Sequence, residues 1–166
     1  MSTKIDAPLS FPIVHVKPEW VDYNGHMNVA YYVLVFDMGV DGLLDYIGLG
    51  LNHIEKYKTS SFTLEIHVNY LQEVNEGDPL RVTCQLLDCD HKRTHYFLSM
   101  YHAEKNYLAA TSEQLSMHID MNMRRSSPYP DHVMTCIEAL MRAHKDLPMP
   151  EQVGSVMKIR HKEGEE

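Results

Sequence analysis

No apolar run in this sequence approaches the roughly 18 residues that a membrane-spanning helix needs. The segment Met1 to Leu9 carries Lys4 and Asp6 and lacks the apolar centre of a secretory signal. The expectation is a cytoplasmic chain with no membrane partner. Basic charge is also scarce: 15 Lys and Arg face 23 Asp and Glu, a formal net charge of −8. Binding a nucleic-acid backbone needs a basic surface, so nucleic acid is excluded as a general partner, whereas a small anion held by a local basic cluster is not. Cysteine is sparse. Cys84, Cys89 and Cys136 are odd in number, match no zinc spacing and read as free thiols. Among the 11 histidines, His91 and His95 are four apart and His15, His67 and His102 fall in expected strands. No three-ligand pattern such as His-Glu-x-x-His occurs, so no metal ligand is assigned. Repeats, low-complexity tracts and linkers are absent too.

What is present fits one domain of 166 residues with 44% hydrophobic content, enough for a sizeable core. A first strand is expected at Phe11 to Val16, followed by a glycine-containing loop from Asp22 to His26. From Val29 to about Ile47, Val29, Val33, Phe36, Val40, Leu43, Leu44 and Ile47 recur at three- and four-residue steps, predicting a long helix with these on one face. Gly48 and Gly50 stop it. Gly39 and Gly42 each cost on the order of 1 kcal/mol inside a helix, sensible where the helix approaches a sheet closely. A short helix or turn, Leu51 to Lys56, leads into strands. Phe62, Leu64, Ile66, Val68 and Tyr70 alternate with polar residues at a period of two. Asn75-Glu76-Gly77-Asp78 reads as a hairpin turn before Leu80, Val82, Cys84 and Leu86. Two more strands are expected, Thr94 to Ala103 and Leu108 to Asp120, then a helix after Pro130 with a Val133, Ile137, Leu140, Met141 stripe, ended by Pro148 and Pro150. A strand, a long helix and a four-strand meander predict an α+β fold whose helix covers one sheet face, with a core at about residues 11–130 and a helical extension at about 131–147.

The chemistry concentrates in Trp20-Val21-Asp22-Tyr23-Asn24-Gly25-His26-Met27-Asn28-Val29. A carboxylate precedes a glycine by three residues, and a long helix opens just beyond. Helix N-termini present unpaired N–H groups and the positive end of a dipole, which can stabilise an oxyanion. Asn28 suits the N-cap, and Gly25 permits a tight turn and close ligand approach. Asp22 reads either as a turn residue or as a catalytic carboxylate. His26 reads as packing, or as a group that orients Asp22, hydrogen-bonds substrate or shuttles a proton.

Asp-Tyr-Asn-Gly-His-Met-Asn ahead of a long helix and strands resembles the 4-hydroxybenzoyl-CoA thioesterase-like branch of the hot-dog superfamily. The exit Ile119-Asp120 through Arg124-Arg125-Ser126-Ser127-Pro128-Tyr129-Pro130 matches as well, so the resemblance spans roughly Phe11 to Pro130. It implies a curved antiparallel sheet wrapped around a central helix. It further implies homodimers, or dimers of dimers, joined edge to edge with active sites at the subunit interface. The family aspartate falls on Asp22 and the amide that polarises the thioester carbonyl near Val29. Members differ on whether the carboxylate attacks or activates water. No cofactor is implied, coenzyme A being part of the acyl-CoA substrate.

The longer stretch from Pro18 to Asn28 resembles a subgroup associated with carnitine breakdown, which implies betainyl-CoA as a substrate. Trp20, Tyr23, Tyr31 and Tyr32 would then offer aromatic faces to a quaternary cation, roughly 0.5–2 kcal/mol each when desolvated. Alternatively Tyr31 and Tyr32 pack the helix on the sheet, and a short-chain or aromatic acyl group is the substrate. Arg124-Arg125, ahead of Lys92-Arg93, are the basic pairs best placed to meet the coenzyme A phosphates; the alternative for each is ordinary solvated charge. Glu113 is expected on one face with Leu115, Met117 and Ile119, as a buried carboxylate in the site or a paired structural one. A hot-dog hydratase would carry Asp-x-x-x-x-His, whereas Asp22 and His26 have three residues between them; a non-catalytic acyl-thioester binding module is the remaining alternative.

Overall fold

A computed structural model of the chain describes residues 5–159. Its central element, α1 (Val29–Tyr46), starts at Asn28, whose side chain accepts from the Ala30 N–H at 3.0 Å, the expected N-cap. Gly48, at φ +86°, ends it as expected. The buried face is Tyr32, Val35, Phe36, Gly39, Val40 and Leu43. That is rotated from the predicted stripe, because Val29 is 56% exposed and Val33 also faces outward. A Cβ on Gly39 would stand 2.9 Å from Val82 Cγ1, so this glycine does bring helix and sheet together. Gly42 instead makes room for the Phe11 ring.

Phe11 belongs to an N-terminal segment that forms two short strands, β1 (Leu9–Ser10) and β2 (Val14–His15), rather than the single expected one. Pro12 lies between them and has no N–H for a ladder. After α1 come α2 (Leu51–Tyr57), β3 (Thr59–Tyr70), β4 (Pro79–Cys89), β5 (Arg93–His102), β6 (Leu108–Asp120), β7 (Arg125–Ser126) and α3 (Asp131–His144). α3 buries Val133, Ile137 and Leu140 from the expected stripe.

The antiparallel sheet runs β1-β4-β5-β6-β3, with β2 on β4 and β7 on β6. β3 therefore pairs β6 and not β4, which corrects the expected hairpin at Asn75–Asp78. The turn exists, with Gly77 at φ +81° and Asp78 accepting from the Asn75 N–H at 2.8 Å. It ends a crossing connection that passes the start of α1. There Val74 is buried, its carbonyl accepts from the Met27 N–H at 2.9 Å, and its N–H donates to the Tyr32 hydroxyl at 3.2 Å. The crossing thus anchors the loop that precedes α1.

β6 corrects a second expectation. Its helix-facing side is Ser112, Gln114, Ser116 and His118, all buried, while Glu113, Leu115 and Met117 turn to the outer face. Polar side chains are tolerated under α1 because they satisfy one another. The Tyr96 hydroxyl donates to Gln114 Oε1 at 3.3 Å and lies 2.8 Å from Ser116 Oγ, and Gln114 Nε2 donates to Ser112 Oγ at 3.1 Å.

Candidate active site

The loop before α1 is tied down by backbone bonds. Asn28 N–H donates to the Trp20 carbonyl at 2.9 Å, Asp22 N–H to the His26 carbonyl at 3.1 Å, and Gly25 N–H to the Asp22 carbonyl at 3.0 Å. Gly25 sits at φ +86° with open space around its Cα, as the turn requires. These bonds place the Asp22 carboxylate beside the helix start. Oδ1 accepts from the Asn24 N–H at 2.8 Å, and Oδ2 accepts from Asn28 Nδ2 at 3.3 Å. Asn28 thereby links the carboxylate to the helix: one end of its amide caps Ala30 and the other touches Asp22. Val29 is the first helical residue, where N–H groups lack intrahelical acceptors and the dipole is positive. A carboxylate beside free amides can attack, or deprotonate water for, a carbonyl whose oxygen those amides polarise.

The other sequence candidates fall unevenly. The half-buried His26 ring lies 3.3 Å from the Met27 carbonyl, its contact being backbone and not the Asp22 carboxylate. Trp20 is 4% exposed and stacks on Tyr31, with centroids 5.5 Å apart and planes 15° from parallel, while Lys17 Nζ lies 5.3 Å over the Trp20 ring. Tyr32 is buried edge-on to Tyr70. Tyr23 is 98% exposed. The expected aromatic enclosure of a cation is therefore not formed by these four: two are core residues and the two that remain stand apart in exposure. Local spacing hid this, because burial of Trp20 depends on chain segments distant in sequence.

Arg124, at φ +54°, holds its guanidinium 5.9 Å from the Phe62 ring centroid, and Arg125 pairs with Asp120 in β7. Both sit at the Thr59 end of β3, whereas Tyr70, at its far end, donates to the Val29 carbonyl at 3.4 Å. Phe62 to Tyr70 spans about 26 Å of strand, so one chain does not bring Arg124 to Asp22. Arg93 is engaged by Asp90 at 2.6 Å. Glu113 is half-buried on the outer face, where its Oε1 meets His95 Nε2 at 2.8 Å and its Oε2 accepts from the Gly154 N–H at 2.8 Å. It is a paired carboxylate, remote from the helix side. With His67, Asp90 and Arg93 it lines an outer-face cavity of about 550 Å³. That cavity is larger than the helix-side one but lies across the sheet from α1. No group of three or more metal-ligating side chains gathers among the described residues.

A groove of about 430 Å³ opens on the α1 side, lined by Ala30, Val33, Leu34, Asp37, Thr63, Ile66 and Gln114. Its four helical residues follow i, i+3, i+4, i+7, starting one residue past Val29. The sequence reading did not single out this groove, which Asp37 lines as an exposed residue; the available signal was this spacing from the helix start.

Residues 16–137 match the family model of the thioesterase-like superfamily. Among characterised proteins, the betainyl-CoA thioesterase of Pseudomonas aeruginosa is 44% identical over 142 residues, covering 86% of this chain and 89% of that protein. The L-carnitine dehydrogenase/betainyl-CoA thioesterase of a Rhizobium species is 36% identical over 89% of this chain, which spans only 29% of that longer protein. A hypothetical protein of Staphylococcus aureus, solved in complex with CoA, superposes with a TM-score of 0.86 at 33% identity, over 95% of this chain and 100% of that one. A 1,4-dihydroxy-2-naphthoyl-CoA thioesterase from Synechocystis shares the fold, with a TM-score of 0.70 at 17% identity, over 87% of this chain and 100% of that one.

Proposed function

The chain belongs to the thioesterase-like superfamily and has the hot-dog fold, and on that premise we propose that it hydrolyses an acyl-CoA thioester at Asp22, with betainyl-CoA as its substrate. The observation that carries this is the Asn28 side chain, which joins the Asp22 carboxylate to the first turn of α1. In this reading the thioester carbonyl oxygen takes the Val29 N–H and the dipole of α1. Asp22 attacks the carbonyl carbon, or removes a proton from a water that does. The collapsing intermediate expels the coenzyme A thiolate, which takes up a proton; where Asp22 is the nucleophile the acyl group is left on its carboxylate as an anhydride that a water then hydrolyses, and by either route the products are the free acid and CoA. Gly25 leaves the approach open. His26 serves substrate or proton transfer from the loop's edge. No cofactor takes part.

The reading includes a homodimer. β3 is an edge strand of twelve residues, with Phe62, Leu64, Ile66 and Tyr70 exposed. Long apolar edges of this kind are templates for pairing with another chain. Two copies of β3 paired antiparallel about their middles would carry the Arg124-Arg125 end of one copy toward the Asp22 end of the other, where those arginines can meet the coenzyme A phosphates. A dimer of dimers is compatible with the same edge contact. The three cysteines are free, which suits a reducing cytoplasm, and among the described residues no helix is long and apolar enough to cross a membrane.

The test is release of free thiol from betainyl-, acetyl-, butyryl- and benzoyl-CoA by the wild-type protein and by Asp22→Asn. Turnover of betainyl-CoA that disappears in the variant is the expected result. Release from none of the four would overturn the assignment.

A further inference from the structure

Val74, in the crossing connection, is gripped through both of its backbone polar groups by the two sides of the helix start. Its carbonyl accepts from the Met27 N–H at 2.9 Å, and its N–H donates to the Tyr32 hydroxyl at 3.2 Å. Met27 stands two residues before the first residue of α1, and Tyr32 three residues after it. These contacts close a ring that runs from Met27 through Asn28, Val29 and the Tyr32 side chain to Val74 and back. Met27 and Val74 are 0% exposed and Tyr32 is 4% exposed, so bulk water does not replace a bond lost from the ring. The hydroxyl is in full use, accepting from Val74 and donating to the Gln72 carbonyl at 3.4 Å. Burial pushes its ionisation up, which keeps it protonated and able to do both. Val74 is itself a fixed point. Asp78 closes the turn that follows: its Oδ2 accepts from the Asn75 N–H at 2.8 Å, and its Oδ1 lies 3.3 Å from Nε2 of the buried His102. The other ring nitrogen of His102 accepts from the Glu104 and Lys105 N–H groups at 3.3 and 3.2 Å, which assigns the ring proton to Nε2, toward Asp78. In the same turn the Gly77 N–H donates to the Val16 carbonyl at 2.8 Å, so the crossing is pinned to the chain before the Asp22 loop as well as to the chain after it.

We propose that the Tyr32 hydroxyl is a positioning group for the reaction: through Val74 it fixes the Met27-Asn28-Val29 segment, and with it the placement of the Asp22 carboxylate against the Val29 N–H. This rests on the thioesterase reading above and adds to it a buried residue that acts through its neighbours. Without the hydroxyl the Val74 N–H is left buried and unpartnered, and the crossing loses its hold on α1 at the residue on which Met27 leans. Asn28 carries the consequence to the site. Its side chain joins Asp22 to Ala30, and its backbone N–H donates to the Trp20 carbonyl. A shift at Met27 therefore moves the carboxylate relative to the amides that open the helix. Misplacement of reacting groups by about 1 Å can cost on the order of 100-fold in rate.

The test is Tyr32→Phe, which removes one oxygen and keeps the ring, assayed on whichever of the four acyl-CoAs the wild type cleaves fastest. Its kcat should fall roughly tenfold or more while KM stays within about twofold, because the lost group meets no substrate. By hydrogen exchange its Met27 amide should open roughly tenfold faster relative to the Leu98 amide of the central strand β5. Asp78→Ala, which frees the same crossing from its other end, should show the same split and the same faster exchange at Met27. Ile137→Val, a core change in α3, serves as the stability control: it should lower the melting temperature and leave kcat unchanged. Full kcat in Tyr32→Phe overturns the proposal and leaves the thioesterase reading standing. So does a loss confined to KM, a Met27 amide that is unchanged in both variants, or a loss of kcat that Ile137→Val reproduces. Absence of thiol release by the wild type from every acyl-CoA tested would remove the thioesterase reading, and this positioning role with it.

Discussion

Asp22 and Asp90 occupy turns built on the same local rule, yet their carboxylates are in opposite states. In both, Oδ1 accepts from the N–H two residues on, at 2.8 Å from Asn24 and 2.9 Å from Lys92. Asp90 then adds the Arg93 N–H at 2.7 Å and the Arg93 Nε at 2.8 Å. Its carboxyl is held down to about 2, first by the Lys92 N–H and then by the Arg93 side chain. Among the described residues Asp22 has for its second oxygen only a neutral amide at 3.3 Å. A carboxylate whose lone pairs are filled by strong, charge-assisted donors is a structural clamp. One left with a long, neutral contact beside a helix start keeps its lone pairs for chemistry. Turn geometry alone therefore leaves the two aspartates alike; the donors to the second oxygen distinguish them, and on the proposed reading Asp22 is the reactive one.

The largest expected consequence is at Asp22. Asp22→Asn should lower kcat by about 1000-fold or more, roughly 4 kcal/mol of barrier, while the melting temperature stays within a few degrees. Asp90→Asn, assayed alongside, should leave thiol release unchanged; a comparable loss there would erase the distinction between the two turns. Asn28→Ala comes next. It removes the N-cap, costing about 1 kcal/mol in denaturant unfolding, and also frees Asp22 from the Asn28 side-chain amide, so kcat should fall roughly tenfold. A stability loss with full activity would mean that Asn28 acts as a cap alone.

The smallest effect belongs to the clamp. The folded Asp90 value, about 2, lies below its ordinary 3.8, so the group adds stability above the ordinary value, and that contribution disappears as pH falls toward 2. After solvent screening of this partly exposed pair it amounts to about 1 kcal/mol or less. Unfolding free energies for wild type and Asp90→Ala should differ by that amount at pH 6 and converge near pH 2. A difference that persists in acid would assign it to backbone packing of the turn.

The features legible in the sequence were those whose causes are local. Asn28 caps the helix because its side chain reaches two residues forward, and Gly25 and Gly48 adopt left-handed backbone where the turns demand it. The long helix follows from its hydrophobic period, and the four long strands lie near where the sequence placed them. What was not legible depends on contacts distant in sequence. β3 lies at the sheet edge rather than beside β4 because the connection through Val74 crosses the start of α1. β6 turns its polar side to the helix because Tyr96, Gln114, Ser112 and Ser116 satisfy each other there. That network inverted the alternation and put Glu113 on the outer face, against His95. Trp20 looked available for ligand and proved to be core.

The decisive observation is a crystal structure of Asp22→Asn with a non-hydrolysable betainyl-CoA analogue in which a ketone replaces the thioester. The carbonyl oxygen should lie about 3 Å from the Val29 nitrogen, with the residue 22 side chain beside the carbonyl carbon. An acyl group found instead in the outer-face cavity near Glu113 and His95, across the sheet from α1, would contradict the account at its centre.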